Sequence, residues 1–208
     1  MKKKVEFVPV NLQGIADIYS IRVDTETESE FKKFLVLFRS ETDPYLKDDF
    51  FRIAEAIKKI SEQGALERFF RPEGRRSDRV WAIPLEIIPR DKTKHGTLRL
   101  YCIRVSDKLL IVGGGGEKTT DEYQQDPILN DAVALLQSID AELLAMEDDG
   151  TSIENEIQNI TVYIGEPRAQ GYSTRRTASP PTPPCAAPSL SPKAPLPGCT
   201  GCAARRLR

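Results

Sequence analysis

Gly96–Thr120 reads GTLRLYCIRVSDKLLIVGGGGEKTT, and its side-chain pattern decides the fold. With a period of two, Arg99, Tyr101, Ile103 and Val105 share one face, and Leu98, Leu100 and Cys102 share the other. Both faces are largely apolar, which predicts a central strand rather than an edge. Ser106-Asp107-Lys108 supplies a turn, and Leu109–Val112 is an apolar run suited to a buried partner strand. The glycines that follow, Gly113–Gly116, are expected to end that strand and release a cationic loop. An arginine on such a platform keeps its charge and needs a polar cleft where it meets an anion.

Outward from this hairpin, Ile18–Val23 reads as a strand. Thr27-Glu28-Ser29-Glu30 has the spacing of a capping box. The stripe Phe31, Phe34, Leu35 and Phe38 follows, as for a helix laid on a core. Asp43-Pro44 starts a second helix with Phe50, Ile53, Ile57 and Ile60 inward and Gly64 as its stop. Their short connection predicts an antiparallel helical hairpin. Val80–Ile88 reads as a strand edged by Pro84. Asp126-Pro127 opens a third helix, with Ile128, Ala132, Leu135, Leu136, Ile139 and Leu143 as its apolar face. Residues 5–10 suggest an edge strand because of Pro9, and residues 159–164 a terminal strand. The fold class is therefore α+β, with a helical hairpin and a C-terminal helix on a small, mostly antiparallel sheet. The expected divisions are an N-terminal extension at 1–17, a domain at 18–148, an acidic segment at 149–166 and a Pro-rich basic tail at 167–208.

A net charge of −1 hides strong asymmetry. Residues 1–119 carry 23 basic against 19 acidic side chains; residues 120–166 carry 12 acidic and no basic ones; residues 167–208 carry 7 basic and no acidic ones. The acidic block reads as a solvated helix face or as a segment that keeps nucleic acid away. Eight prolines between Pro180 and Pro197 leave no apolar periodicity, which predicts a disordered tail. Cys199 and Cys202 there lack a second pair of metal ligands, and nothing resembles a disulfide framework. No signal peptide or membrane-spanning apolar stretch is legible, so the expected location is cytoplasmic, away from membranes.

The order strand, helix, helix, three strands, helix, together with Thr97-Leu98-Arg99-Leu100-Tyr101, Asp107–Val112 and Glu117–Tyr123, resembles the RelE/ParE superfamily of toxin–antitoxin toxins over roughly residues 18–145. The resemblance implies a RelE-like fold and, in the RelE branch, an endoribonuclease that cleaves mRNA on the ribosome without a metal or other cofactor. The RNA 2′-hydroxyl attacks the adjacent phosphate while cationic side chains stabilise the developing charge. Carried over, Arg99 clamps the scissile phosphate, Lys118 neutralises or protonates the leaving side, and Tyr123 serves near the attacking hydroxyl. Lys92 and Lys94 sit where the family often keeps basic residues. The implied partners are a cognate antitoxin and mRNA on the ribosome. The same scaffold also carries a gyrase-directed branch, and a non-catalytic binding module of this fold is the alternative reading.

Other signals compete with this reading. An arginine such as Arg99 also fits a structural pair with Glu86. Arg71, Arg75, Arg76 and Arg79 form a cluster that suits RNA phosphates, but Glu67, Glu73 and Asp78 among them suit an ordinary charged loop equally well. Gly113–Thr119 imitates a phosphate-binding P-loop. Glu117, however, stands where the glycine before the lysine belongs, and the next helix opens only at Pro127. His95 is the single histidine, so it builds no Ser–His pair or multi-histidine metal site. It reads as a solvated loop residue, with a lone general base as the alternative.

Overall fold

Three side-chain caps start the three long helices. Ser29 accepts from the Lys32 N–H and opens α1 (Glu30–Arg39), so the cap lies two residues beyond the expected Thr27, on the other hydroxyl of the same motif. Asp43 accepts from Tyr45 and Leu46 and opens α2 (Pro44–Gln63), which stops at Gly64. Asp126 does the same for α3 (Pro127–Asp148). In both Asp-Pro starts the proline takes the first turn, where its missing N–H costs nothing.

The computed structural model describes residues 2–73, 78–85 and 95–165. These residues lie in one compact unit, Met1–Ala169. Among them are β1 (Lys3–Pro9), β2 (Asp17–Val23), β3 (Arg71–Pro72), β4 (Val80–Ala82), β5 (Thr97–Arg104), β6 (Leu109–Lys118) and β7 (Thr161–Ile164), with the short helix α4 (Ile153–Glu156) before β7. The architecture is α+β: seven strands in the order β3-β4-β5-β6-β2-β1-β7, antiparallel throughout except where β2 and β6 run parallel. No helix among the described residues is long and apolar enough to cross a membrane.

The two faces of the sheet bury separate cores. On one, Phe31, Phe34 and Phe38 of α1 and Phe50, Ile53, Ile57 and Ile60 of α2 cover Leu98, Leu100, Cys102, Leu110 and Val112. On the other, α3 covers Tyr101, Ile103, Leu109 and Ile111. The expected central strand β5 is there, sealed on both faces. The stripe of α3 is shifted by one residue at its start: Leu129, Val133, Leu136, Ile139 and Leu143 are buried, while Ile128 is 71% exposed. A helix with so wide an apolar arc offers two stripes, and the sheet chooses between them.

Two expected divisions dissolve. Residues 1–17 are not an extension, because β1 pairs with β2 on one side and β7 on the other. The strand is therefore internal, with Pro9 tolerated at its very end. Residues 149–165 likewise belong to the same sheet and core through Ile153, Ile157, Val162 and Ile164. The expected tail at 167–208 lies outside the described residues.

The glycine run is the largest local surprise. It does not end the strand; β6 continues through it to Lys118. Pairing with β5 steps from Cys102↔Val112 to Leu100↔Gly115, so Gly113 and Gly114 together face Tyr101 in a β-bulge. A Cβ at Gly115 would stand 2.0 Å from the Arg99 carbonyl oxygen, and one at Gly113 2.8 Å from Leu136. The glycines are thus required by the closeness of β5 and α3. This also removes the P-loop reading, since the run is paired strand.

The fully buried Ser20 hydroxyl accepts from the Phe31 N–H at 3.0 Å and so ties β2 to the first turn of α1. Ser20→Ala strands that donor and is expected to cost about 1–3 kcal/mol. Denaturant unfolding checks this; an unchanged midpoint would show that α1 does not depend on the sheet for its start.

Candidate functional site

Where β5 starts and β6 ends, Thr97 pairs with Lys118 and Arg99 with Gly116. Residues opposite each other in an antiparallel pair share a face, so Thr97, Arg99 and Lys118 all project on the α3 side of the sheet. Glu117, paired with Leu98, projects on the other side, where its carboxylate accepts the Gly96 N–H at 2.9 Å. The carboxylate adjacent in sequence to Lys118 is therefore not adjacent in function.

A cleft of about 130 Å³ opens here, lined by His95, Thr97, Arg99, Lys118, Thr119, Thr120 and Asp121. Arg99 makes one long side-chain hydrogen bond, 3.3 Å to the Leu98 carbonyl, and no carboxylate lies within ion-pair distance of it among the described residues. Glu86, its alternative partner from sequence, lies outside them. Lys118 Nζ donates to the Asp121 carbonyl at 2.7 Å. Burial lowers the Arg99 guanidinium from its ordinary value, opposed by Tyr101 and Glu73, without threatening its charge. Burial, reinforced by the Arg99 charge, lowers the Lys118 ammonium. Arg99 and Lys118 repel each other in this partly dry cleft, an effect that Glu73 and Asp121 oppose at Lys118, and a phosphate matches both the fork of an arginine and the point charge of a lysine.

Tyr123, in the 3₁₀ turn Tyr123–Gln125, does not line the cleft. Its ring lies 6.1 Å from that of Tyr101, the next residue but one after Arg99 on the same face. Burial, and then the Glu73 carboxylate, push the Tyr101 phenol up.

The arginine cluster does not act as one group. Arg71 is 65% exposed, 3.7 Å from Glu73, and its charge bears on both Arg99 and Lys118. It does not line the cleft, and neither does Glu73, whose opposite charge bears on the same two groups. Nor does Arg79; its Nε meets the fully buried Asp140 at 2.8 Å and its Nη1 meets Glu147 at 2.8 Å. Those contacts commit it to joining β4 and α3 rather than to RNA. They also use two of the acidic charges of α3 internally. Arg75, Arg76, Lys92 and Lys94 lie outside the described residues.

Sequence reading missed the setting of His95. The imidazole lines the cleft and is only 28% exposed on its side chain, with Nδ1 2.6 Å from Asp43 Oδ2. The Tyr45 ring lies 4.6 Å away, centroid to centroid. The His95 contact leads the causes that hold Asp43 below its ordinary range, joined by the N–H groups of Tyr45 and Leu46. The available signal was the position of His95, two residues before the strand that carries Arg99; the 52-residue separation from Asp43 hid the partner. No group of three or more His, Cys, Asp or Glu side chains suited to a metal ion occurs among the described residues.

Comparison with protein-family models, with curated proteins and with solved structures finds no match for this chain.

Proposed function

We propose that the chain is a RelE-like toxin that cleaves mRNA on the ribosome. The observation that carries this reading is the pairing of β5 with β6, which sets Arg99 and Lys118 side by side in one cleft with no carboxylate bound to either among the described residues. The order of elements supports it: a helical hairpin, a strand, an arginine-bearing central strand and an apolar strand that ends in a lysine.

In this reading Arg99 holds the scissile phosphate by its fork, and Lys118 stands where negative charge develops on the leaving oxygen. Tyr123, backed by Tyr101, positions the RNA segment that carries the attacking 2′-hydroxyl. The exposed Arg71 adds long-range attraction for the RNA backbone. A cognate antitoxin, encoded beside this chain as a small helix-turn-helix protein, would keep the activity in check in a cytoplasmic setting.

Induced expression tests the reading directly. Wild type is expected to arrest growth and to leave new mRNA 5′ ends by primer extension, while Lys118→Ala and Tyr123→Phe each lower cleavage by about tenfold or more. If the three site residues act as a unit, the losses do not add. If folded wild type neither slows growth nor cleaves translated mRNA, the nuclease reading falls and a phosphate-binding module without catalysis takes its place.

A further inference from the structure

The cleft holds a group that the reading above leaves idle. Attack of a 2′-hydroxyl on phosphorus needs a base, and a tyrosine phenol is poorly matched to that task because it ionises only near ~10. His95 is better placed and of better chemistry. It stands two residues before Thr97, on the wall of the cleft shared with Arg99 and Lys118.

Its orientation is fixed from two sides. Asp43 divides its carboxylate: Oδ1 accepts the Tyr45 and Leu46 N–H groups at the start of α2, at 2.8 and 3.3 Å, and Oδ2 meets His95 Nδ1 at 2.6 Å. An ionised carboxylate accepts and cannot donate, so Nδ1 carries the hydrogen and Nε2 of the neutral ring is left with its lone pair. The Tyr45 ring, tilted 46° to the imidazole, limits its rotation. This is the arrangement of an oriented base: a ring whose tautomer is set by a carboxylate anchored in a helix cap. Among the described residues, the titratable groups around the ring are Asp43 and Tyr45 from α2, which contact it, and Arg99 from β5 with Lys118 and Asp121 from the end of β6 and its following loop, which line the same cleft.

We propose that His95, oriented by Asp43, is the general base that takes the proton from the attacking 2′-hydroxyl. The inference rests on the RNA-cleavage reading. The proton of the 2′-hydroxyl passes to Nε2 as the O2′–P bond forms. The P–O5′ bond breaks, and the 5′ oxygen takes a proton from the Lys118 ammonium. The products are a 2′,3′-cyclic phosphate and a 5′-hydroxyl, with an imidazolium and a neutral amine left to exchange protons with water. No oxidant, reductant or co-reactant is needed. Arg99 keeps its charge throughout, and Tyr123 is confined to positioning.

The test uses the full chain with ribosomes programmed by a short mRNA. It compares wild type, Arg99→Ala, His95→Ala, His95→Gln and Asp43→Asn, each checked by circular dichroism and thermal melting. His95→Ala is expected to lower the single-turnover rate at saturating ribosomes about a hundredfold with the apparent KM unchanged, and added imidazole is expected to restore part of the rate in a dose-dependent way. Asp43→Asn keeps a good helix cap and is expected to lower the rate about tenfold or more, because an amide no longer fixes the tautomer. Should the alanine variant fail to fold, His95→Gln replaces it: its amide still donates to Asp43 but cannot take the proton, so slow cleavage by the folded variant supports the assignment. If wild type cleaves, Arg99→Ala does not, and His95→Ala cleaves at the wild-type rate or is slowed without imidazole rescue, the nuclease reading stands and this inference is overturned. If wild type itself does not cleave, the two fall together.

Discussion

Arg99→Ala is expected to lower mRNA cleavage about a hundredfold while leaving the fold intact. A guanidinium that contacts the reacting phosphate supplies about 3 kcal/mol of transition-state stabilisation, which sets the size of the loss. The fold should survive for reasons visible at the site. β5 is held between β4 and β6 by backbone pairing, Arg99 makes one long bond to its neighbour's carbonyl, and its removal relieves repulsion with Lys118. The melting temperature should therefore hold or rise slightly. Arg99→Lys should recover only part of the activity, since an ammonium restores charge but not the bidentate fork. Primer extension on induced cultures and circular dichroism on purified protein together read both outcomes. Folded Arg99→Ala that cleaves like wild type would leave the activity real and move the site elsewhere, with the exposed Arg71 next to be replaced.

Asp140→Ala is expected to be the costliest single change to stability, about 3–5 kcal/mol. Asp140 is fully buried under α3 and accepts twice from Arg79, from its backbone N–H at 2.8 Å and from Nε at 2.8 Å. Alanine strands both donors, while Glu147, on the partly exposed side, satisfies Nη1 alone. For a domain of this size the loss corresponds to a fall of roughly 6–20 °C in melting temperature. The double variant Arg79→Met, Asp140→Leu should recover part of it, because an apolar pair avoids desolvating two charges but still leaves the backbone N–H of residue 79 without its acceptor. A drop under about 1 kcal/mol for Asp140→Ala would mean that water replaces the carboxylate and that β4 is not anchored to α3 by this contact.

What the sequence made legible was whatever local physics controls. Asp43-Pro44 and Asp126-Pro127 marked two helix starts correctly, and the phenylalanine and isoleucine stripes named the buried face of the helical hairpin. The two apolar faces of Leu98–Ile103 announced a central strand. What stayed hidden depended on distant partners. β1 looked like an edge because β7, which covers it, comes more than 150 residues later. The glycine run has no side chains with which to show a period of two, so its strand character could be seen only from the packing of α3 and β5 around it. The arginines of residues 68–79 are alike in sequence, and only the fold separates the exposed Arg71 from Arg79 on Asp140. At the site, Arg99 and Lys118 were legible because one turn joins their strands. His95 and Asp43 were not, since a helix cap and a strand entrance meet only in three dimensions.

The bulge at Gly113 and Gly114 has an electrostatic meaning beyond its geometry. Had the same residues paired throughout in the register of Cys102↔Val112, with no bulge, Arg99 would sit opposite Gly115, and Thr97 opposite Glu117. Glu117 would then stand on the Arg99 face of the sheet, next to the arginine, and the lysine would lie beneath the helical hairpin. The bulge, made of two residues that carry no charge, therefore chooses which of two neighbouring residues of opposite sign faces the cleft. The polarity of the cleft is held by the bulge: absorbing one extra residue at Gly113 and Gly114 keeps Lys118, and not Glu117, opposite Thr97.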